Sequence, residues 1–259
     1  MTLCVLLICS PAVAQEVEVD VELFLAVDVS RSMSPAELEI QRRGYAEALI
    51  SDQVLAAING GLLGRVAITY VEWAGEHAQR VVVPWVLLQS DADAQAIADR
   101  ITAQFDKGLR RTSISGALMY AANDFDENGF NGLRRVIDVS GDGPNNQGRP
   151  VALARDATLA RGFVINGLPL MTMDALSEIW GIPDLDDYYR NCVIGGPGAF
   201  VIPVLSWDQF AGAVKRKLIL EIAGISERII SAQYNAPAPY DCLIGEKMWE
   251  QNRAYFDIP

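Results

Sequence analysis

The sequence predicts an α/β protein: a doubly wound, mostly parallel sheet with one antiparallel edge strand and helices on both faces. Three observations carry that prediction. Apolar runs rich in β-branched residues, such as "VELFLAVDVS" (21–30) and "RRVIDVSGD" (134–142), read as strands buried on both faces. Stretches of helical periodicity alternate with them, and that alternation folds as parallel strands joined by crossover helices. Two of the strands also end in a carboxylate, Asp28 and Asp142, so both acids belong to one edge of the sheet.

Taken in order, the run 21–30 is a central strand. Ser34-Pro35-Ala36-Glu37 then opens a helix, with Ser34 as N-cap, Pro35 in the first turn and Glu37 closing a capping box. That helix reaches about residue 50, and a short one follows in 52–59. "GRVAITYVEWAG" (64–75) and "QRVVVPWVLL" (79–88) form an antiparallel hairpin, and Pro84 makes the second strand an edge strand. Helices are expected in 91–105 and 114–127, a buried strand in 134–142, a helix in 149–161 and a strand in 163–171. The stretch 174–198 reads as an irregular insert with short helical pieces, ending in the tight glycine loop 195–198. "AFVIPVLS" (199–206) is expected to be the last strand, 207–223 an amphipathic helix, and 226–259 a C-terminal tail.

Residues 1–14, "MTLCVLLICSPAVA", carry no charge and end in Ala12-Val13-Ala14, which predicts a signal peptide cleaved before Gln15. No basic residue precedes the apolar run, which departs from the usual leader, and bulky Ile8 argues against a lipoprotein reading at Cys9. The run is shorter than the ~20 residues a membrane span needs, and no later segment is apolar for long enough. An exported chain, periplasmic or secreted, is the expectation. Of four cysteines, only Cys192 and Cys242 lie beyond the leader. In an oxidising compartment they can form one bridge, or they can be two unrelated buried thiols; the spacing leaves both open. The formal charge of −12 excludes phosphate backbones as partners, so no nucleic acid is expected, while cations are favoured. His77 is the only histidine and reads as part of an exposed turn, which rules out most Ser-His or Cys-His hydrolase arrangements unless His77 serves, and with no CxxC nothing resembles a zinc site.

At the end of the first strand, Asp28, Ser30 and Ser32 occupy alternate positions, so their oxygens share one side of an extended segment. Such a pattern is a helix-capping turn or a metal site. Thr112 in "RRTSISGAL" and Asp142 in "SGDGP" supply two more oxygens at positions where loops meet the same sheet edge. Ligands of open α/β sheets bind at that edge. Hydroxyl and carboxylate oxygens suit a hard cation such as Mg²⁺.

These motifs resemble the metal-ion-dependent adhesion site of the von Willebrand factor type A (VWA) domain. The correspondence covers about residues 20–225, and "VEWAG", "DVSGDGPNNQG" and "CVIGGPGAF" are similar to one bacterial branch of exported A-domain-like proteins. The resemblance implies that Asp28, Ser30, Ser32, Thr112 and Asp142 hold Mg²⁺ or Mn²⁺. It further implies that an open coordination position takes an acidic residue of a protein partner. One departure is that Arg110 and Arg111 stand where family members often have glycine before the Thr.

Other residues carry two readings each. Glu72, at the end of the second strand, orients a metal-bound water or is a surface carboxylate; the latter is commoner. Asp138, inside a buried strand, needs a partner there. Asn145 and Asn146 cap the following helix or line the site. Beside the adhesion module, the alternatives are a metal-dependent phosphoryl-transfer or hydrolytic enzyme, and a structural envelope component without a working site. The enzyme would need an in-line base and a cationic clamp, and no Lys or His stands near the motifs.

Overall fold

The computed structural model describes residues 16–103, 108–172, 181–224 and 240–256. Five strands form the central sheet: β2 (Val21–Asp28), β3 (Val66–Trp73), β4 (Gln79–Leu88), β6 (Arg135–Gly141) and β7 (Val164–Pro169), in the order β4-β3-β2-β6-β7. All neighbours are parallel except β3 and β4, so the hairpin is antiparallel and Pro84 lies in the edge strand, as the sequence predicts. A small parallel pair, β1 (Val17–Val19) with β5 (Phe130–Gly132), stands apart; at three residues each, neither strand is long enough to show a pattern.

Alternation along β2 assigns the two layers. Leu23, Leu25 and Val27 face one core with side chains of α1 (Pro35–Leu49), α2 (Asp52–Asn59) and α3 (Asp91–Thr102). Phe24 and Ala26 face the other, with α4 (Ile114–Asp124), α5 (Val151–Leu159) and α6 (Leu185–Tyr188), the last running into a π-helical turn, Tyr189–Val193. The C-terminal helices are α7 (Phe210–Ala223), packed in the first core, and α8 (Ile244–Phe256). Complete burial of a large aliphatic or aromatic side chain contributes about 1.5–3 kcal/mol, so β2, buried at all eight positions, anchors both layers. The predicted capping box is present: Ser34 Oγ accepts from the Glu37 N–H, and Glu37 Oε2 accepts from the Ser34 N–H.

Two expectations are corrected. The stretch 199–206 is not a strand. Its backbone pairs with β7 and the residues after it in two separate parallel bridges: Gly167 N–H to Phe200 O with Ile202 N–H to Gly167 O, and Val204 N–H to Pro169 O with Met171 N–H to Val204 O. The missing rung lies between the two bridges: Pro169 has no N–H to give the Ile202 carbonyl, so the pairing does not run on as a ladder. The C-terminal stretch read as a tail contains α8, covalently joined to the domain by a Cys192–Cys242 disulfide. The expected leader, residues 1–14, and part of the insert, 174–180, lie outside the described residues. Among the described residues no helix is long and apolar enough to cross a membrane.

Candidate metal centre

At the carboxyl end of β2 the chain turns over Asp28. Its Oδ1 accepts the Ser30 N–H at 2.7 Å, while its backbone carbonyl is held by Gln41 Nε2 of α1 at 2.8 Å. That turn presents the Ser30 and Ser32 hydroxyls to each other at 2.9 Å. β6 lies next to β2, and Asp142, just past its end, comes to the same place. Ser32 Oγ donates to Asp142 Oδ1 at 2.8 Å, and Ser30 Oγ lies 3.5 Å from the same oxygen. Parallel pairing of β2 and β6 thus brings together four of the five predicted residues from positions more than a hundred residues apart.

Thr112 approaches through its backbone. Its N–H donates to Asn146 Oδ1 at 3.0 Å and its carbonyl accepts the Asn146 N–H at 2.8 Å, which ties the Thr112 loop to the Asp142 loop. Leu109 N–H to Val29 O and Ser113 N–H to Ala74 O fix the same loop to the ends of β2 and β3. Arg111 has φ 76°, the left-handed conformation glycine adopts freely. The position where the family often has glycine therefore keeps a glycine-like backbone with an arginine in it. The Arg111 guanidinium lies 3.4 Å from the ring centre of Trp249 in α8, so it points at the C-terminal helix.

Asp28 is fully buried and Asp142 nearly so. Burial pushes the Asp28 carboxyl well above its usual range. The charge of Asp142 adds to that, and the Ser30 and Asp142 backbone N–H groups pull the other way. Asp28 Oδ2 has no hydrogen-bond partner. Two buried carboxylates linked by two hydroxyls, one carrying an orphaned oxygen, form an electrostatically unfavourable arrangement unless a proton or a cation intervenes. The donor set is all hard oxygen and fits a divalent ion of the Mg²⁺ or Mn²⁺ kind. Among the described residues no group of three or more His, Cys, Asp or Glu is placed to hold a metal ion, here or elsewhere, so this site has only two carboxylates beside its hydroxyls.

The other singled-out residues resolve as follows. Glu72 does not orient water: it is buried in an ion-pair cluster with Arg42, at 2.5 Å, and Arg80. Asp138 has the partner its burial demands, Lys217 of α7 at 2.5 Å, which also pairs with Glu221 at 2.5 Å. Asn145 serves a cap, although not of the following helix. Its Oδ1 accepts the Ser115 N–H in the first turn of α4, and its Nδ2 donates to Glu246 of α8. His77 is exposed on the β3–β4 turn, and Gly196 and Gly198, both at positive φ, form the tight loop expected.

Sequence reasoning missed Tyr189. Its hydroxyl is buried beside the acidic pair, and both burial and Asp28 keep the phenol protonated well beyond its usual range. Only the "DDYYR" run marks the place, and nothing local says which of its two buried tyrosines reaches the acidic pair.

A family model described as "Protein of unknown function (DUF1194)" matches residues 18–226. No curated protein matches the chain significantly. Among solved structures, proximal thread matrix protein 1 from the mussel byssus is similar at 14% identity and TM-score 0.58, over 80% of this chain and 48% of that one. A second structure of that protein, with a zinc-occupied MIDAS motif, is similar at 16% identity and TM-score 0.54, over 81% of this chain and 49% of that one. A von Willebrand factor type A protein from Catenulispora acidiphila is similar at 14% identity and TM-score 0.54, over 79% of this chain and 43% of that one. The chain spans about half the length of these structures or less, and it has the VWA fold.

Proposed function

We propose that the chain, which belongs to the DUF1194 family, is an exported, metal-ion-dependent adhesion-type binding module. In this reading Asp28, Ser30, Ser32, Thr112 and Asp142 hold Mg²⁺ or Mn²⁺, and a protein partner contributes an acidic residue. The observation that carries it is the hydrogen-bonded Asp28–Ser30–Ser32–Asp142 cluster, in which a buried carboxylate oxygen has no partner.

The bound ion would supply a Lewis-acidic open position for a carboxylate from outside. The chain's own residues do the rest. Asp28 and Asp142 offset the double positive charge almost completely, so the site stays only weakly charged until the partner's acid arrives. Asn146 holds Thr112 against the Asp142 loop, and Gln41 fixes the Asp28 backbone. The zinc-occupied MIDAS of the mussel protein supports a divalent ion in this fold.

The enzymatic alternative finds less support among the described residues. Lys217 is consumed by Asp138 and Glu221, and Arg42 and Arg80 by Glu72. We take residues 1–14 as a leader removed on export, 20–225 as the module and 226–259 as the segment that carries α8 back onto it. A disulfide accords with an oxidising compartment.

The test is a pull-down from the envelope fraction with immobilised protein, run with Mg²⁺, with chelator, and with Asp142→Asn. A partner retained only by wild type in Mg²⁺ supports the reading; retention unchanged by chelator and by the variant contradicts it.

A further inference from the structure

We infer that Tyr189 is a positioning residue for the candidate ion site, its phenol donating to Oδ2 of Asp28 through one bridging water. The inference rests on the metal reading above and adds to it a residue from outside the motif.

The geometry starts at Gly141, the last residue of β6. A Cβ built there would lie 2.9 Å from Tyr189 Oη and 3.0 Å from Asp28 Oδ2. The two oxygens therefore converge on one spot, which is open because residue 141 has no side chain. Both are buried and neither has a hydrogen-bond partner. Asp28 Oδ1 is already engaged by the Ser30 N–H. An ionised carboxylate only accepts and a phenol can donate, so the two orphaned atoms are complementary.

The surrounding structure is built around this ring. Gly167, on the neighbouring strand β7, would place a Cβ 2.6 Å from Tyr189 Cδ1, so any larger residue there would displace the tyrosine. Tyr189 begins a π-helical turn, an uncommon backbone form that recurs at functional sites. Cys192, within that turn, is bonded to Cys242. Two glycines, a π-turn and a disulfide fix the phenol more closely than packing alone requires, since phenylalanine would fill the same space. Groups that orient metal ligands typically change affinity by about 10- to 100-fold when removed.

Calorimetric titration of Mn²⁺ into Tyr189→Phe, into Tyr70→Phe and into wild type tests the inference. Tyr70 is an equally buried phenol with an unpaired hydroxyl, in the other core layer. Tyr189→Phe should bind Mn²⁺ at least about 10-fold more weakly, with its melting temperature in chelator unchanged or higher, and Tyr70→Phe should bind like wild type. The near-ultraviolet tyrosine band should shift when Mn²⁺ binds wild type; that measurement needs no variant. Wild-type affinity in Tyr189→Phe, an equal loss in Tyr70→Phe, or an unperturbed tyrosine band overturns the inference and leaves the metal reading standing. No binding by wild type overturns the metal reading itself.

Discussion

Replacing Asp28 by asparagine separates the electrostatics of the site from its geometry. Asparagine keeps an Oδ1 to accept the Ser30 N–H, the 2.7 Å bond that shapes the first loop. Alanine would orphan that buried donor at a cost of about 1–3 kcal/mol. What Asn removes is charge. Two buried carboxylates linked through hydroxyls repel, by up to about 4 kcal/mol for unit charges about 4 Å apart at an effective dielectric constant near 20. Protonation of Asp28, whose carboxyl burial already pushes upward, relieves part of this. In chelator, Asp28→Asn should therefore be more stable than wild type, by less than about 4 kcal/mol. Metal should reverse the order of response. At 100 times its dissociation constant, an ion that binds only the folded state adds about 2.7 kcal/mol; wild type should gain this and the variant should not. Urea denaturation followed by tryptophan fluorescence, with chelator and with saturating Mg²⁺, gives all four values. A variant less stable than wild type in chelator, or one that keeps the whole Mg²⁺ increment, would refute the reasoning.

Three further outcomes are expected. Cys192→Ser with Cys242→Ser opens a cross-link between residues separated by 50 positions. Non-reducing denaturation should show a loss of up to about 4 kcal/mol, while equal stability would mean that α8 is held by its other contacts. Glu221 is pushed up to about 7 by burial, with Lys217 opposing and Asp138 adding to the rise. The folded protein thus holds a proton that the unfolded chain releases near 4.5, so stability should fall as pH rises from about 4.5 to about 7. Glu221→Gln should flatten that fall by up to about 1.4 kcal/mol per pH unit; an unchanged slope contradicts the assignment. Intact mass of protein from the envelope fraction should begin near Gln15, and a full-length mass would remove the leader from the account.

What the sequence made legible is local. Asp28, Ser30 and Ser32 are read from alternation at a strand end, the Ser34–Glu37 box from its spacing, and the edge position of β4 from Pro84. Each is decided within a few residues, so each survives the move to three dimensions. What it hid depends on partners far along the chain. Asp138 announces a need for a counter-charge, but Lys217 lies 79 positions later on a helix whose pattern reads as ordinary amphipathicity. Tyr189 becomes legible only when Gly141 and Gly167 stand beside it on neighbouring strands. The stretch 199–206 has strand composition and fails as a continuous strand because Pro169, on the facing strand, has no N–H for the rung between its two bridges. The C-terminal helix was obscured by the prolines before it, and its place is set by a disulfide that sequence spacing left open.

Asp28, Ser30 and Ser32 beyond β2, Asp142 beyond β6 and Thr112 in the loop before α4 are proposed to hold one divalent ion. Calorimetric titration of Mn²⁺ into chelator-stripped, folded protein tests it most directly, with Asp142→Asn beside it. Wild type should bind one ion per chain and the variant none. Absence of binding by wild type, or equal binding by both, would contradict it.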